Sequence, residues 1–282
     1  MEKKIIFLDV DGTLCLNDGH ISKKHRYACQ KAMANGHQIY LCTGRSKAEL
    51  FEEITSLNFH GIIGAGGGYI EANHHVLFHR LVSQEHCRHA VDYFNENDIA
   101  FYLESNDNLY ASKNCVKRLE KLAYGEISEM ELNALKLEGK YHSFFEALIE
   151  DEPNLYRDDV NKICFLDNGK ISFEQIVKEF ENEYTVIGST VPMFGSNSGE
   201  LMVQGVNKAT AILELLHHCK GNILQTVAIG DGRNDIEMFE LCNQGIAMGN
   251  AHPDLIQIAD HVVATNTNDG VYEAFVYLGL LD

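Results

Sequence analysis

The chain has 282 residues, of which 45% are hydrophobic and 23% charged, a balance typical of a folded protein with one large or two moderate domains. Its formal net charge of −18 argues against nucleic acid and against an anionic membrane surface, since both are bound through lysine and arginine. The eight cysteines are scattered without a C-x-x-C pair, and no segment is apolar for long enough to span a membrane or to serve as a signal-peptide core. We therefore expect a cytoplasmic protein without a disulfide framework.

The first eighty residues alternate between strand and helix patterns. Strands are predicted at residues 5–9, 38–42 and 61–65, with a helix at about 22–35 between the first two. An S-x-x-E capping box formed by Ser46 and Glu49 predicts a second helix that continues to about residue 57. This order predicts a parallel sheet with right-handed crossovers.

The middle of the chain has a different texture. Helices are predicted at 84–97 and 114–122, and strands at 99–104, 108–111, 162–166 and 184–187. Ser172 and Gln175 form a second capping box at the start of a further helix, whereas residues 126–159 are charged and poorly periodic. Two α-β repeats with a hydrophilic centre predict an inserted α/β domain.

The strand-helix alternation returns toward the carboxyl end. Helices are predicted at 208–219 and 235–242 and strands at 226–229 and 245–248, followed by a final helix, strand and helix. We therefore predict an α/β fold in which residues 1–81 and 197–282 form a Rossmann-like, doubly wound parallel sheet. Residues 82–196 are predicted to form an α/β cap domain inserted into this core.

Two acidic residues follow the first predicted strand, in the segment Asp9-Val10-Asp11-Gly12-Thr13. A bend at Gly12 can turn both carboxylates toward the crevice beyond the carboxyl end of the strand, where open α/β sheets bind ligands. One carboxylate there can attack phosphorus, the other can transfer a proton, and oxygen ligands of this kind suit Mg²⁺. Taken alone, the segment fits a turn equally well.

Three further motifs stand at the ends of predicted core strands or at a helix start. Thr43 and Gly44 follow the second strand, where a hydroxyl and a backbone N–H can hold a phosphate oxygen. Lys208 opens a helix, where a cation is unfavourable unless an anion lies nearby. The segment 230–235 (GDGRND) offers further oxygen ligands. The structural alternatives are a strand-to-helix turn, a solvated lysine and a helix cap, respectively.

In combination and in order, these motifs resemble the four motifs of the haloacid dehalogenase (HAD) superfamily of phosphatases. The resemblance covers essentially the whole chain. The large insertion between the second and third motifs, with the segments 245–251 (GIAMGNA) and 269–271 (DGV) near the end, is similar to the Cof-type, sugar-phosphatase-like branch of that superfamily.

The resemblance implies a catalytic or metal-binding role for five matching residues. Asp9 would be the nucleophile and a Mg²⁺ ligand, and Asp11 would be the general acid and base, with its carbonyl on the metal. Asp231 would complete the protein ligands. Asp235 would orient the waters of the metal or Lys208. Lys208 would also keep Asp9 ionised, because it supplies a nearby positive charge.

The resemblance also implies a phosphate-binding set, made of two backbone positions and three side chains. Its members are Val10, Thr43, Gly44, Lys208 and Asn234. Two features depart from the family pattern. Residues 66–68 are Gly-Gly-Gly where relatives often have Asn-Gly-Ala, and Asn207 precedes the lysine where serine is usual.

The implied activity is Mg²⁺-dependent hydrolysis of a small phosphorylated metabolite, with sugar phosphates as the family default, through an aspartyl-phosphate. One rival is a phosphohexomutase such as phosphomannomutase, which needs a basic surface for a second phosphate. Four basic residues on one predicted helix could supply it: Lys113, Lys117, Arg118 and Lys121. Another rival is a non-enzymatic phosphate- or metabolite-binding regulator.

Overall fold

The structure, a computed structural model, describes residues 3–16, 19–150, 154–189 and 191–282. The chain divides into two compact units. The first comprises Met1–Ser46, Leu50–His79 and Val206–Asp282, and the second comprises Lys47–Glu49 and Arg80–Gly205. Across the described ranges, every helix is too short or too polar to span a membrane.

The strands and helices are numbered in chain order. The strands are β1 (Ile5–Leu8), β2 (Gln38–Cys42), β3 (Gly61–Gly64), β4 (Tyr69–Ala72), β5 (His75–His79), β6 (Phe101–Glu104), β7 (Leu109–Ala111), β8 (Leu148–Glu150), β9 (Lys162–Phe165), β10 (Tyr184–Gly188), β11 (Gly199–Val203), β12 (Thr226–Gly230), β13 (Gln244–Ala247) and β14 (His261–Val262). The helices are α1 (Lys23–Ala34), α2 (Glu52–Thr55), α3 (Gln84–Glu96), α4 (Cys115–Tyr124), α5 (Glu129–Leu137), α6 (Ser143–Ala147), α7 (Phe173–Phe180), α8 (Lys208–Cys219), α9 (Ile236–Leu241), α10 (Pro253–Ile258) and α11 (Gly270–Tyr277).

The first unit is built on one eight-stranded sheet with the order β14-β13-β12-β1-β2-β3-β4-β5. The strands from β14 to β3 are parallel to their neighbours, which confirms the predicted doubly wound α/β fold. Alternate residues of β1 point to opposite faces, so that Phe7 joins one core cluster whereas Ile6 and Leu8 join the other. The central strand is therefore buried on both sides.

Two antiparallel strands that the sequence analysis did not predict extend this sheet at one edge. β4 pairs with β3, and β5 pairs with β4. The turn between them places Asn73 and His74 in the left-handed region, at φ 49° and 63°. The segment lacks the Asn-Gly or Asp-Gly signal that usually marks a tight hairpin, and this explains why it was missed.

The predicted helix over residues 46–57 is wrong. The chain instead forms a 3₁₀ turn at Lys47–Glu49 and then the single-turn helix α2. Phe51 between them is extended, with ψ 166°, so the helical hydrogen bonds cannot continue. Ala48, within the 3₁₀ turn, packs against the core of the second unit.

The second unit contains a six-stranded sheet with the order β10-β11-β9-β6-β7-β8. The stretch 126–159, which appeared unpatterned in the sequence, contributes α5, α6 and the edge strand β8. The capping box of Ser172 and Gln175 forms as predicted at the start of α7. Because β11 pairs with β9 and β10, the second unit continues to Gly205, beyond the predicted boundary at residue 196.

The three consecutive glycines of the first unit allow a close backbone approach. Gly67 has φ +114°, and a Cβ atom there would lie 2.3 Å from the carbonyl oxygen of Asn207. Asn207 caps α8, since its side chain accepts a hydrogen bond from the Thr210 N–H. Gly67 therefore lets the loop after β3 pass directly against the start of the helix that carries Lys208.

We expect Gly67→Ala to destabilise the protein more than Gly279→Ala does. Both glycines have positive φ, but a Cβ at Gly279 meets ordinary contacts whereas one at Gly67 overlaps backbone. Backbone strain of this kind costs about 1–3 kcal/mol before the overlap is counted. Thermal unfolding of the two variants beside the wild type measures the difference, and equal losses would contradict the close approach.

Candidate active site

The residues predicted to carry chemistry all belong to the first unit and cluster at one end of its sheet. Asp9 follows β1, Thr43 follows β2 and Asp231 follows β12, and these three strands are parallel neighbours. The carboxyl ends of adjacent parallel strands meet at one edge of a sheet, so the fold gathers residues distant in sequence. Lys208 reaches the same place from the first turn of α8.

Lys208 is the buried centre of the cluster. Its Nζ donates hydrogen bonds to Oδ1 of Asp9 at 2.6 Å and to Oδ1 of Asp235 at 2.5 Å. The lysine is 2% exposed and Asp235 is fully buried, so these are water-excluded ion pairs. Asp9 and Asp235 thus both supply the negative charge that offsets the unfavourable position of a lysine at a helix start.

Asp235 has both carboxylate oxygens engaged by the protein. Oδ1 accepts from Lys208, and Oδ2 accepts from the backbone N–H groups of Asp231 and Gly232 at 3.0 and 2.9 Å. The side chain therefore fixes both the lysine and the loop that carries Asp231. A Cβ at Gly230 would lie 2.4 Å from Asp235 Oδ2, so the loop also requires glycine at that position.

Asp231 is held by two side chains from other loops. Thr13 Oγ1 donates to its Oδ1 at 3.0 Å, and Asn250 Nδ2 donates to its Oδ2 at 3.2 Å. Gly12, at φ +76°, passes so close that a Cβ would lie 2.2 Å from Asp231 Oδ2. The loops after β1 and β12 are therefore in direct contact through this carboxylate.

Burial dominates the electrostatics of the cluster. It raises the pKa of Asp9 well above its ordinary range; the Lys208 charge opposes this increase, and Asp235 and Asp231 add to it. Burial, together with the negative charge of Asp235, also raises the pKa of Asp231 to about 6. Burial alone would lower the pKa of Lys208, but Asp235 and Asp9 outweigh it and the pKa is raised. Lys208 thus acts on Asp9 in the expected direction, since its charge favours the ionised carboxylate against burial and the two neighbouring acids.

The donor set fits a divalent cation. One carboxylate oxygen from each of Asp9, Asp231 and Asp235 can be chosen so that all lie within 4.8 Å of one another. Three carboxylates face one ammonium group, and the two uncompensated negative charges match the charge of a divalent cation. Hard oxygen donors are those that Mg²⁺ prefers. The cluster could therefore bind a metal ion.

The Asp11 carboxylate is not one of the three in this cluster and pairs instead with Arg45. Its two oxygens accept hydrogen bonds from Nη2 and Nε of Arg45, at 2.6 and 2.9 Å. The Asp11 side chain is 60% exposed, so it can meet solvent or a ligand, whereas Asp9 cannot do so as freely. Sequence reasoning gave Arg45 no role; its place directly after Thr43-Gly44 was the available signal.

The remaining phosphate-binding candidates lie around the same edge. Thr43 is buried and its Oγ1 accepts from the Arg45 N–H at 3.1 Å. A Cβ at Gly44 would lie 3.7 Å from Nδ2 of Asn234, so these two positions adjoin. The Val10 side chain is buried in the core and its carbonyl accepts from the Cys15 N–H at 2.8 Å. The structure thus brings the predicted residues to one edge of the sheet.

The basic residues considered for a second phosphate lie in the second unit, on or beside α4. Arg118 forms an ion pair with Asp98, and Lys121 forms one with Glu126. Two of the four cations thus have acidic partners within the unit.

Comparisons with known proteins match nearly the whole chain. A family model described as haloacid dehalogenase-like hydrolase matches residues 6–275. The 5-amino-6-(5-phospho-D-ribitylamino)uracil phosphatase YcsE of Bacillus subtilis is 27% identical over 275 residues, covering 96% of this chain and 94% of that protein. Phosphatase YwpJ of the same organism is 24% identical over 290 residues, covering 98% and 99%. The solved structure of the HAD subclass IIB sugar phosphatase BT4131 shares the fold, with a TM-score of 0.75 at 21% identity, covering 99% of this chain and all of that one.

We expect a divalent cation such as Mg²⁺ to stabilise the protein more at about pH 7.5 than at about pH 5. The pKa of Asp231 is raised from 3.8 to about 6, so between these values the folded state holds a proton that the unfolded chain has lost. The unfolding free energy therefore falls as the pH rises through this window. Above the window, the full loss of stability from the buried Asp231 carboxylate is present. A cation at about a hundred times its Kd would remove the penalty and raise Tm by about 5–10 °C at the higher pH.

Asp231→Asn is expected to abolish this cation-induced rise in Tm. The matched variant Asp254→Asn removes an exposed carboxylate of the same unit, which pairs with Arg233, and is expected to retain it. A cation response that survives in Asp231→Asn would place the cation elsewhere.

Proposed function

The chain belongs to the haloacid dehalogenase-like hydrolases, as its motifs predicted, and on this premise we propose that it is a Mg²⁺-dependent phosphatase of small phosphorylated metabolites that works through a phosphorylated Asp9. Phosphatases that match it along its whole length support the reaction class. The observation that carries the proposal is the buried group of Asp9, Asp231 and Asp235 around Lys208.

In the first step, Asp9 would attack the phosphorus of a phosphomonoester. Its Oδ1 accepts the hydrogen bond from Lys208, so we assign the attack to Oδ2. The bond between phosphorus and the leaving oxygen breaks as the Asp9–phosphorus bond forms. Asp11, whose carboxyl group is the exposed one, would give its proton to that leaving oxygen.

In the second step, water would hydrolyse the aspartyl-phosphate. Asp11, now ionised, would take a proton from the water as its oxygen attacks phosphorus, and Asp9 would leave as a carboxylate. Arg45 holds both Asp11 oxygens in the structure, so it would fix the orientation of this acid and base. Each cycle thus regenerates both carboxyl groups.

The metal would be held by the carboxylates of Asp9 and Asp231 together with the carbonyl of Asp11. Because both oxygens of Asp235 are engaged, we assign Asp235 to orienting Lys208 and the Asp231 loop. A bound Mg²⁺ would neutralise charge on the phosphoryl oxygens and on the buried carboxylates. Lys208, Thr43, Gly44, Asn234 and the Val10 N–H would hold the phosphoryl group.

We also propose a division of labour between the two units. The residues assigned to chemistry come from the first unit, which supports its role as the catalytic core. The second unit, apart from Lys47–Glu49, is one continuous insertion, and we propose that it acts as the cap that selects the substrate. Sugar phosphates are the preferred candidates, since a sugar phosphatase shares the fold across the chain.

We expect hydrolysis of p-nitrophenyl phosphate to require Mg²⁺ and to fall at least about a thousandfold in Asp9→Ala, as when other covalent nucleophiles are removed. Asp11→Asn keeps the nucleophile but cannot exchange a proton, so it is expected to turn over slowly and to accumulate phosphoenzyme. Phosphate release and acid-stable label on the protein measure the two effects.

Asp254→Asn is the control, because it removes a carboxylate without touching the cluster. Undiminished turnover in Asp9→Ala would remove Asp9 as the nucleophile. Wild-type turnover in Asp11→Asn would remove Asp11 from proton transfer and leave the assignment of Asp9 intact.

A further inference from the structure

Asn250 lies where three loops of the first unit meet. It comes shortly after β13, and its Nδ2 donates to the Gly12 carbonyl at 2.8 Å and to Asp231 Oδ2 at 3.2 Å. Its Oδ1 accepts from the backbone N–H of Asn266, beyond β14, at 2.9 Å. One side chain thus joins the loops that follow β1, β12 and β14.

The orientation of the Asn250 amide is determined by its partners. The Asn266 N–H can only donate, so it selects the oxygen of the amide and turns the NH₂ group toward Gly12 and Asp231. Asn266 is itself fixed, because it is buried and its Nδ2 donates to the Cys15 carbonyl at 2.9 Å. The NH₂ group that donates to Asp231 is therefore held in place by the backbone contacts of Asn250 and Asn266.

Removing the Asn250 side chain would take one donor away from two acceptors at once. The Gly12 carbonyl and Asp231 Oδ2 share the Asn250 NH₂ group, and the Gly12 backbone adjoins the Asp231 carboxylate. Loss of the donor that both acceptors share leaves hydrogen-bonding capacity unsatisfied, which is unfavourable. Thr13 would still hold the other oxygen of Asp231, so the carboxylate could rotate about that remaining contact.

We propose that Asn250 is a positioning residue for the cation: it holds the Asp231 carboxylate against the loop that begins at Asp9. The inference deepens the proposed function and depends on its cation site. It assigns a purpose to the segment 245–251, which the sequence analysis matched to a family branch without giving Asn250 a role. Partners that orient metal-ligating side chains typically change metal affinity about 10- to 100-fold when replaced.

The test is Mg²⁺ binding to the full-length protein, measured by calorimetry without substrate. Asn250→Ala is expected to raise the Kd for Mg²⁺ about 10- to 100-fold. In turnover, the Mg²⁺ concentration for half-maximal activity is expected to rise, while KM for substrate at saturating Mg²⁺ stays close to the wild-type value. If Asn250→Ala folds poorly, Asn250→Ser is the second variant to measure. Its side chain is shorter than that of asparagine, so the same loss of Mg²⁺ affinity is expected.

Asn222→Ala is the matched control. Asn222 also uses its side-chain oxygen to accept a backbone N–H, that of Leu224, but it precedes β12 and so lies at the opposite end of the strand from Asp231. The Kd of the Asn222→Ala variant for Mg²⁺ is expected to equal that of the wild type. A Tm loss in Asn250→Ala and Asn250→Ser with unchanged Mg²⁺ affinity would overturn the proposal, because it would make Asn250 purely structural. Absence of Mg²⁺ binding by the wild type would instead overturn the cation site of the proposed function.

Discussion

The buried ion pairs of Lys208 with Asp9 and Asp235 are the interaction on which the site depends. Burying an ammonium and two carboxylates is unfavourable unless each charge is paired and hydrogen-bonded. Here the lysine meets both acids directly, and Asp235 satisfies its other oxygen with two backbone N–H groups. The helix α8, the strand end at Asp9 and the loop after β12 are therefore fixed to one another by charge as well as by packing.

The cluster has more negative than positive charge, because Lys208 is one cation among three carboxylates. Asp231 has hydrogen-bond donors on both oxygens but no ion-pair partner among the contacts described for the cluster, and its pKa is raised. Burial, together with the charges of Asp235 and Asp231, likewise raises the pKa of Asp9. A site built in this way favours a proton at low pH and a divalent cation at higher pH. The arrangement thus links the protonation of the cluster to the metal that the proposed reaction requires.

Much of the fold follows from the sequence because local patterns and tertiary structure agree. β2 and α8 begin and end at the predicted residues, since an apolar run marks the strand and apolar periodicity with the capping Asn207 marks the helix. The long helix predicted after Ser46 does not form, since Phe51 is extended and Ala48 packs against the core of the second unit. Strand β11 was missed because its membership in the second sheet depends on pairing with β9 and β10, which no local pattern encodes.

The candidate active site could likewise be predicted only in part. The order of the motifs predicted that Asp9, Thr43, Lys208 and Asp231 share one edge of a sheet, because parallel strands align their ends. The contacts between their side chains were not predictable in this way. Arg45 on Asp11 and Asn250 on Asp231 depend on loop geometry, and the raised pKa of Asp9 depends on the sum of burial and several charges.

The covalent role of Asp9 is the central claim of the proposed mechanism. The direct measurement is to mix the protein and Mg²⁺ with a phosphomonoester that carries a radiolabelled phosphoryl group, quench with acid within one turnover, and map the labelled peptide. If Asp9 is the nucleophile, the label is found on Asp9 alone, on the carboxylate that accepts the Lys208 hydrogen bond. Label on another residue, or release of phosphate without any labelled protein at all quench times, would contradict it.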